Sequence, residues 1–362
     1  MRARVRPRAL LVHAPGGAWR IEGRITDLRE APDGLPLQER GLWHPLVWQK
    51  LLAPQVRARI VRSWPDGSSP GDQAMLALLR SEAQHRGLAS CVMTFEPHPR
   101  DYFAELTGKP ELAPARIATL RDKLSELQRC GVQQAVVLRF DARLAALSPD
   151  DFIGQVLLRS LRARYVLVGD DFRFGARRAG DYAMLDAAGD DHGFDVARML
   201  SYEVHGLRVS SSAVREALAA GDMPRAAALL GRPYAISGHV VHGRKLGRTL
   251  GFRTLNVRFG HAKPAAMGIF VVEVHGLGDR PLPGVASLGV RPTVEDAGRV
   301  LLETHCLDWP AGLPPEGAYG KLVSVRLLHK LHDERKYPSL DALQAAIAQD
   351  TADAQAWFAA RR

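Results

Sequence analysis

Tyr165-Val-Leu-Val-Gly-Asp-Asp-Phe-Arg-Phe-Gly175 decides how the first half of this chain is read. A short apolar run ends at Gly169 and passes at once into a polar loop, the pattern of a buried strand whose carboxyl end is open to a ligand. Similar runs recur at Ala58–Arg62, Ala89–Phe95, Gln134–Phe140 and Asp195–Leu200. Helical periods fill the intervals at Asp72–His85, Ala115–Cys130, Pro149–Leu161 and Tyr182–Ala188. The alternation predicts an α/β fold, a parallel sheet with crossover helices, in which ligands bind beyond strand ends such as Phe95 and Gly169.

The pattern changes after Gly231. From Tyr234 to about Leu331, β-rich segments including Ala235–His242, Gly268–Val274, Gly284–Leu288 and Lys321–Leu328 alternate with Gly and Pro turns. No long helical period interrupts them, so a compact antiparallel barrel is expected. A helix follows from Ser339, as N-cap, to about Ala360, with Leu340, Leu343, Ile347 and Trp357 on its apolar stripe. Residues 1–55 show no sustained period and read as an atypical basic extension without regular order. The expected domains are therefore 56–231 and 232–362.

The chain's 362 residues, 46% hydrophobic and 24% charged, are those of a globular protein with room for two cores. No stretch approaches the roughly 18 apolar residues of a membrane helix, and the run Ala9–Val12 is too short for a signal peptide, so a cytoplasmic location is expected. Cys91, Cys130 and Cys306 form no CxxC pair, which argues against a disulfide framework or a zinc site. The net charge of +10 is concentrated at the start: residues 1–62 hold eleven arginines and one lysine against five acids. Without a zinc finger, RNP motif or Gly-Arg repeat, that arm reads as a solvated tail, and nucleic acid is not expected as a partner.

Several passages carry chemistry. The loop after Gly169, with Asp170, Asp171, Phe172, Arg173, Arg177 and Arg178, suits nucleotide contact, although its composition alone is better explained by acids pairing with neighbouring arginines. Val209-Ser-Ser-Ser-Ala-Val-Arg215 places hydroxyls at a helix start with Arg215 one turn inside. Free amides, hydroxyls and a guanidinium together can hold a phosphate, or the serines can simply cap the helix. Thr94-Phe-Glu-Pro-His-Pro99 is a rigid turn after a strand, equally a loop stabiliser or a ligand contact. Gly238-His-Val-Val-His-Gly243 continues through Gly247 to Thr254 and Asn256, a glycine-rich turn followed by two oxygen-bearing side chains. In Leu302-Glu-Thr-His-Cys-Leu-Asp308 the alternation puts Glu303 and His305 on one face, where an ion pair would be the plain account of Glu303.

Taken in order, these passages resemble the bacterial bifunctional riboflavin kinase/FMN adenylyltransferase family, the FAD synthetases, over residues 73 to 362. The resemblance implies a Rossmann-like nucleotidylyltransferase domain followed by a six-stranded antiparallel riboflavin kinase barrel with a C-terminal helix. It implies Glu303 as the base acting on the riboflavin hydroxyl. Gly243 and Gly247 would approach the kinase nucleotide, and Thr254 and Asn256 would hold Mg2+ and ATP. Gly169, Asp170, Phe172, Ser211, Ser212 and Arg215 would bind the nucleotide of the adenylylation step. Riboflavin, FMN and ATP become the expected partners, with FMN and FAD as products.

The chain departs from the family at one important place. Where members have GNFDGVHLGHQ, with two histidines on the triphosphate, it has Ser63-Trp-Pro-Asp-Gly-Ser-Ser-Pro-Gly-Asp-Gln73, placing Ser69 and Asp72 in the histidine positions and Trp64 at the asparagine. Loss of one preorganised donor commonly costs about 100-fold, and a carboxylate in a donor's place opposes the phosphate charge as well. FMN adenylylation is therefore expected to be impaired. Lesser departures are Arg253 for a proline and His332 for an arginine. The competing readings are a kinase with a non-catalytic first domain and a flavin-binding, RNA-associated regulator.

Overall fold

The computed structural model describes residues 7–13, 19–23, 59–61, 70–169, 171–199, 203–204, 207–208, 210–242, 252, 254–259, 263–290, 300–310 and 312–361. The chain divides into two compact units. One comprises Met1–Pro65, Gly71–Pro114 and Leu124–Arg208, the other Asp66–Pro70, Ala115–Lys123 and Val209–Arg362.

The first unit is built on a sheet of strands β1 (Pro7–His13), β2 (Trp19–Gly23), β3 (Arg59–Val61), β4 (Ser90–Glu96), β5 (Gln134–Arg139), β6 (Tyr165–Gly169) and β7 (Asp195–Met199), in the order β2-β1-β5-β4-β3-β6-β7. Strands β3 to β7 are parallel to one another, as the alternation predicts. At β4, β5 and β6 both faces of the sheet are covered, which is why these strands read as continuous apolar runs. Cys91, Met93, Val136 and Val166 meet Phe152, Ile153 and Leu157 on one face. Val92, Ala135 and Leu167 meet Leu76, Leu79 and Leu127 on the other. Truncating a buried leucine such as Leu76 or Leu79 to alanine would cost about 2–5 kcal/mol.

Two expectations need correction here. Residues 1–55 are not wholly without order: β1 and β2 form an antiparallel hairpin, and β1 pairs antiparallel with β5, Leu11 opposite Ala135. The run Ala9–Val12 is the signal; β5 offers it an edge to pair with. The helix expected over Ala115–Cys130 covers only Leu120–Arg129. Before it, Ile117 and Ala118 are buried, and Arg116 exchanges main-chain hydrogen bonds with residues 263 and 265 (N to Lys263 O, 2.8 Å; Ala265 N to its O, 3.0 Å). An extended segment that pairs this way cannot also wind as helix.

Short antiparallel strands β8 (Glu203–Val204) and β9 (Leu207–Arg208) follow. The second unit contains a closed antiparallel barrel of β10 (Tyr234–Val241), β11 (Thr254–Phe259), β12 (Gly268–His275), β13 (Leu282–Val290), β14 (Val300–Cys306) and β15 (Leu322–His332), ordered β10-β11-β14-β13-β12-β15. Its interior is filled by alternate residues, among them Ile236, Val257, Phe270, Val272, Leu288, Leu302 and Val325. By contacts the second compact unit takes in residues from 209 onward, because helices Ser211–Ala220 and Met223–Leu230 contribute Val214, Leu218, Met223 and Leu230 to that same apolar cluster. Asp122 also belongs here. Its carboxylate accepts from Ser237 N at 3.0 Å and Thr119 Oγ1 at 2.7 Å, while burial pushes its pKa above the ordinary range.

Helix Leu340–Ala359 is capped by Ser339, whose hydroxyl accepts from Ala342 N. Ala354 packs with Val271 and Val285, joined by Trp357 and Phe358. Leu340, placed on the apolar stripe by sequence, is 60% exposed. Among the described residues no helix is long and apolar enough to cross a membrane.

Candidate functional site

The barrel carries the more complete constellation. Leu255, Val257 and Phe259 of β11 point into the core, as do Leu302 and Cys306 of β14, so Thr254, Asn256, Glu303 and His305 face outward. Register puts Thr254 opposite His305 and Asn256 opposite Glu303. Directly opposed residues share a face with Cβ atoms about 4.5–5.5 Å apart. The sequence predicted that Glu303 and His305 share a face; the register adds that the two oxygen-bearing residues of β11 stand beside them. The Phe252 ring meets the His305 ring edge-on, centroids 5.2 Å apart.

Asn256 is the unusual member. It is only 5% exposed, and its Oδ1 is buried without a hydrogen-bond partner. A buried carbonyl oxygen with nothing to accept from costs about 1–3 kcal/mol, an expense a protein sustains where a ligand completes the site. The same oxygen is of the kind a hard divalent cation takes, and Thr254 supplies a hydroxyl two residues along the same face. These residues fit Mg2+ held together with nucleotide phosphates. Gly243, Gly247 and Arg253 lie outside the described residues.

His332 closes β15 onto the C-terminal helix: its ring nitrogens lie 2.8 Å from Asp350 Oδ1 and 2.7 Å from the Asp333 carbonyl oxygen. Next to it, Lys330 pairs with Asp333 at 2.5 Å and holds that exposed carboxyl below its usual range. The histidine thus fastens the strand end before residues 333–338.

In the first unit Gly169 ends β6 at the carboxyl edge of the sheet, and Asp170 lies outside the described residues. Phe172 donates its N–H to Gly169 O at 3.3 Å and stacks on Phe174, centroids 5.4 Å apart. The loop needs Gly175, which has φ +73 and would drive a Cβ to 2.7 Å from the Pro149 nitrogen. Arg173 pairs with Asp181 at 3.1 Å, and Asp181 also caps helix Tyr182–His192 through Met184 N. Arg173 of the loop is thus held to the start of the next helix. His98 Nδ1 accepts from Arg100 N at 3.2 Å, which makes it the N-cap of helix Pro99–Leu106.

Asp72 sits half-buried in the first turn of helix Pro70–His85. A carboxylate there stabilises the helix through its dipole and opposes any phosphate drawn to the same helix end. Ser69 and Trp64 lie outside the described residues. Ser211, Ser212 and Arg215 fall in the second unit. The capping hydroxyl there is that of Ser210, which accepts from Ala213 N, so Ser211 and Ser212 are the first helical residues. Arg215 Nε donates to Ala115 O at 2.7 Å, so part of the guanidinium is engaged in holding the chain. Burial pushes the Cys91 and Cys306 thiols up to about 12, which leaves neither as a nucleophile at neutral pH.

Comparison with known proteins matches two family models in succession along the chain. The FAD synthetase family model matches residues 65–213 and the riboflavin kinase model residues 230–358. The chain is 46% identical over 293 residues to the bifunctional riboflavin kinase/FMN adenylyltransferase of Escherichia coli strain K12, covering 81% of this chain and 90% of that one. It is 42% identical to the protein of the same name from Pseudomonas fluorescens, covering 80% and 90%. Among solved structures, a Streptococcus pneumoniae protein titled a macrolide-efflux protein superposes with a TM-score of 0.64 at 25% identity, covering 83% of this chain and 94% of that chain. With both halves matched in order and nearly the full length of these relatives spanned, the chain belongs to the bifunctional riboflavin kinase/FMN adenylyltransferase family.

Proposed function

We propose that this chain phosphorylates riboflavin to FMN on the outer face of its barrel and adenylylates FMN to FAD through its first unit. The observation that carries the kinase step is the pairing of Asn256, with its unpartnered buried oxygen, against Glu303. Thr254 and Asn256 would hold Mg2+, which when bound neutralises phosphate charge, and Gly243 and Gly247 would let the backbone approach the nucleotide. Glu303 accepts the proton of the primary hydroxyl of riboflavin. That oxygen bonds to the γ-phosphorus of ATP as the bond from phosphorus to the β,γ-bridging oxygen breaks, leaving ADP and FMN.

The adenylylation step needs no protein nucleophile, because the FMN phosphate attacks the α-phosphorus and pyrophosphate leaves. Positioning and charge therefore decide its rate. Gly169, Asp170 and Phe172 are the nucleotide contacts in the first unit. Asp72 slows this step. The match of residues 65–213 to the FAD synthetase model supports two activities, and neither the kinase-only reading nor the RNA-associated regulator gains support. The test is a time course with riboflavin and MgATP, flavins separated by chromatography. FMN is expected first, with FAD following slowly; no FMN would refute the kinase reading.

A further inference from the structure

Asn256, Glu303 and Ser287 stand side by side on β11, β14 and β13, all turned away from the barrel core. With neighbouring strands about 4.8 Å apart, the row spans roughly 10 Å with Glu303 at its centre. On the kinase reading above, which this inference takes as its basis, Thr254 and Asn256 hold the nucleotide on the β11 flank. The hydroxyl-bearing substrate must then reach Glu303 from the β13 flank.

Glu334 stands on that flank. Ser287 Oγ donates to Glu334 Oε1 at 3.0 Å, and the carboxylate fills the space that a Cβ on Gly289 would occupy. The Gly289 backbone is not left-handed, so the glycine is not needed there for conformational freedom. What it supplies is room. Because Glu334 comes two residues after the end of β15, where His332 is fastened to Asp350, seating it against β13 holds residues 333–338 across the sheet beside the base.

We infer that Ser287 and Gly289 are positioning residues for the kinase reaction. They seat Glu334, and through it the loop 333–338, as the wall of the acceptor flank. Neither touches the reacting atoms. Their effect falls on riboflavin and spares the nucleotide, since Asn256 and Thr254 lie on the opposite side of Glu303.

Gly289→Ala is the decisive variant. Its Cβ displaces only the end of a flexible side chain, so the barrel folds while Glu334 is moved. Ser287→Ala and Glu334→Ala remove the hydrogen bond, whereas Glu334→Gln still accepts it through the amide oxygen. Riboflavin affinity is read by quenching of flavin fluorescence, KM for riboflavin and MgATP by turnover, and loop protection by hydrogen exchange at residues 333–338. The first three variants are expected to weaken riboflavin binding by roughly 10- to 100-fold, the range for losing one hydrogen bond to a charged group. They should also speed exchange in the loop and leave the MgATP KM within about twofold. Glu334→Gln should restore most of the affinity. Unchanged riboflavin affinity in Gly289→Ala and Glu334→Ala, or equal losses for both substrates, would overturn the inference. Should the unaltered protein make no FMN, the kinase reading fails, while fluorescence and hydrogen exchange still decide whether Ser287 and Gly289 seat the loop.

Discussion

Replacing Asn256 by leucine should make the unliganded protein more stable and the enzyme inactive. The side chains are of similar size, and the position is 5% exposed, so the main change is the removal of a polar group whose Oδ1 has no partner. Leaving such a group unsatisfied costs about 1–3 kcal/mol, and this is the gain expected without nucleotide. For a unit of this size, each kcal/mol moves Tm by roughly 2–4 °C, so a central value of about 2 kcal/mol raises it by about 4–8 °C. MgATP should reverse the order. At 100 times its Kd a ligand stabilises the native state by about 2.7 kcal/mol, and the variant, lacking the ligand oxygen, should gain almost none of this from the kinase site. Scanning calorimetry of both proteins with and without MgATP, beside an assay of FMN formation, measures the crossing. A variant that melts below the unaltered protein without nucleotide, or one that MgATP stabilises equally, would refute the assignment of Asn256 to the metal and nucleotide.

Three further outcomes follow from named groups. Glu303→Gln should lower kcat by about 10²- to 10⁴-fold, the usual contribution of a general base, while calorimetric binding of MgATP persists; near-normal turnover would remove Glu303 from the chemistry. Asp122, whose pKa burial raises above the ordinary 3.8, contributes stability that is fully present below that value and lost as pH rises through the raised one. Asp122→Asn should abolish this decline in urea midpoints measured upward from pH 4, and parallel curves for the two proteins would contradict it. Restoring Ser69→His together with Asp72→His should raise FAD formation by roughly 100-fold or more, with kinase turnover unaltered. If the unaltered chain already makes FAD as fast as FMN, other donors serve the triphosphate.

The alternation of apolar runs and helical periods made the parallel sheet legible, and Tyr165–Gly169 was bounded correctly from sequence because a fully buried strand is apolar throughout. The period of two in Leu302–Asp308 likewise sufficed to put Glu303 and His305 on one face, since successive side chains of any strand point to opposite sides. These are local facts, set by covalent geometry within a few residues. The pairing of Glu303 with Asn256 and Ser287 is not local. Register depends on how six strands close into a barrel, and a slip of one residue would turn each of these side chains to the other face. The same holds for Pro7–His13, whose apolar run becomes a strand only because β5 offers an edge, and for helices Ser211–Ala220 and Met223–Leu230, whose allegiance follows from which core their apolar faces meet. Glu334 is kept from the family in sequence, but only the fold shows that its carboxylate is seated in the space over Gly289. Residue type and periodicity thus determined which groups could act and which way they face along their own strand. Only tertiary structure decided which of them stand together, because the partners that fix register and burial are distant in sequence.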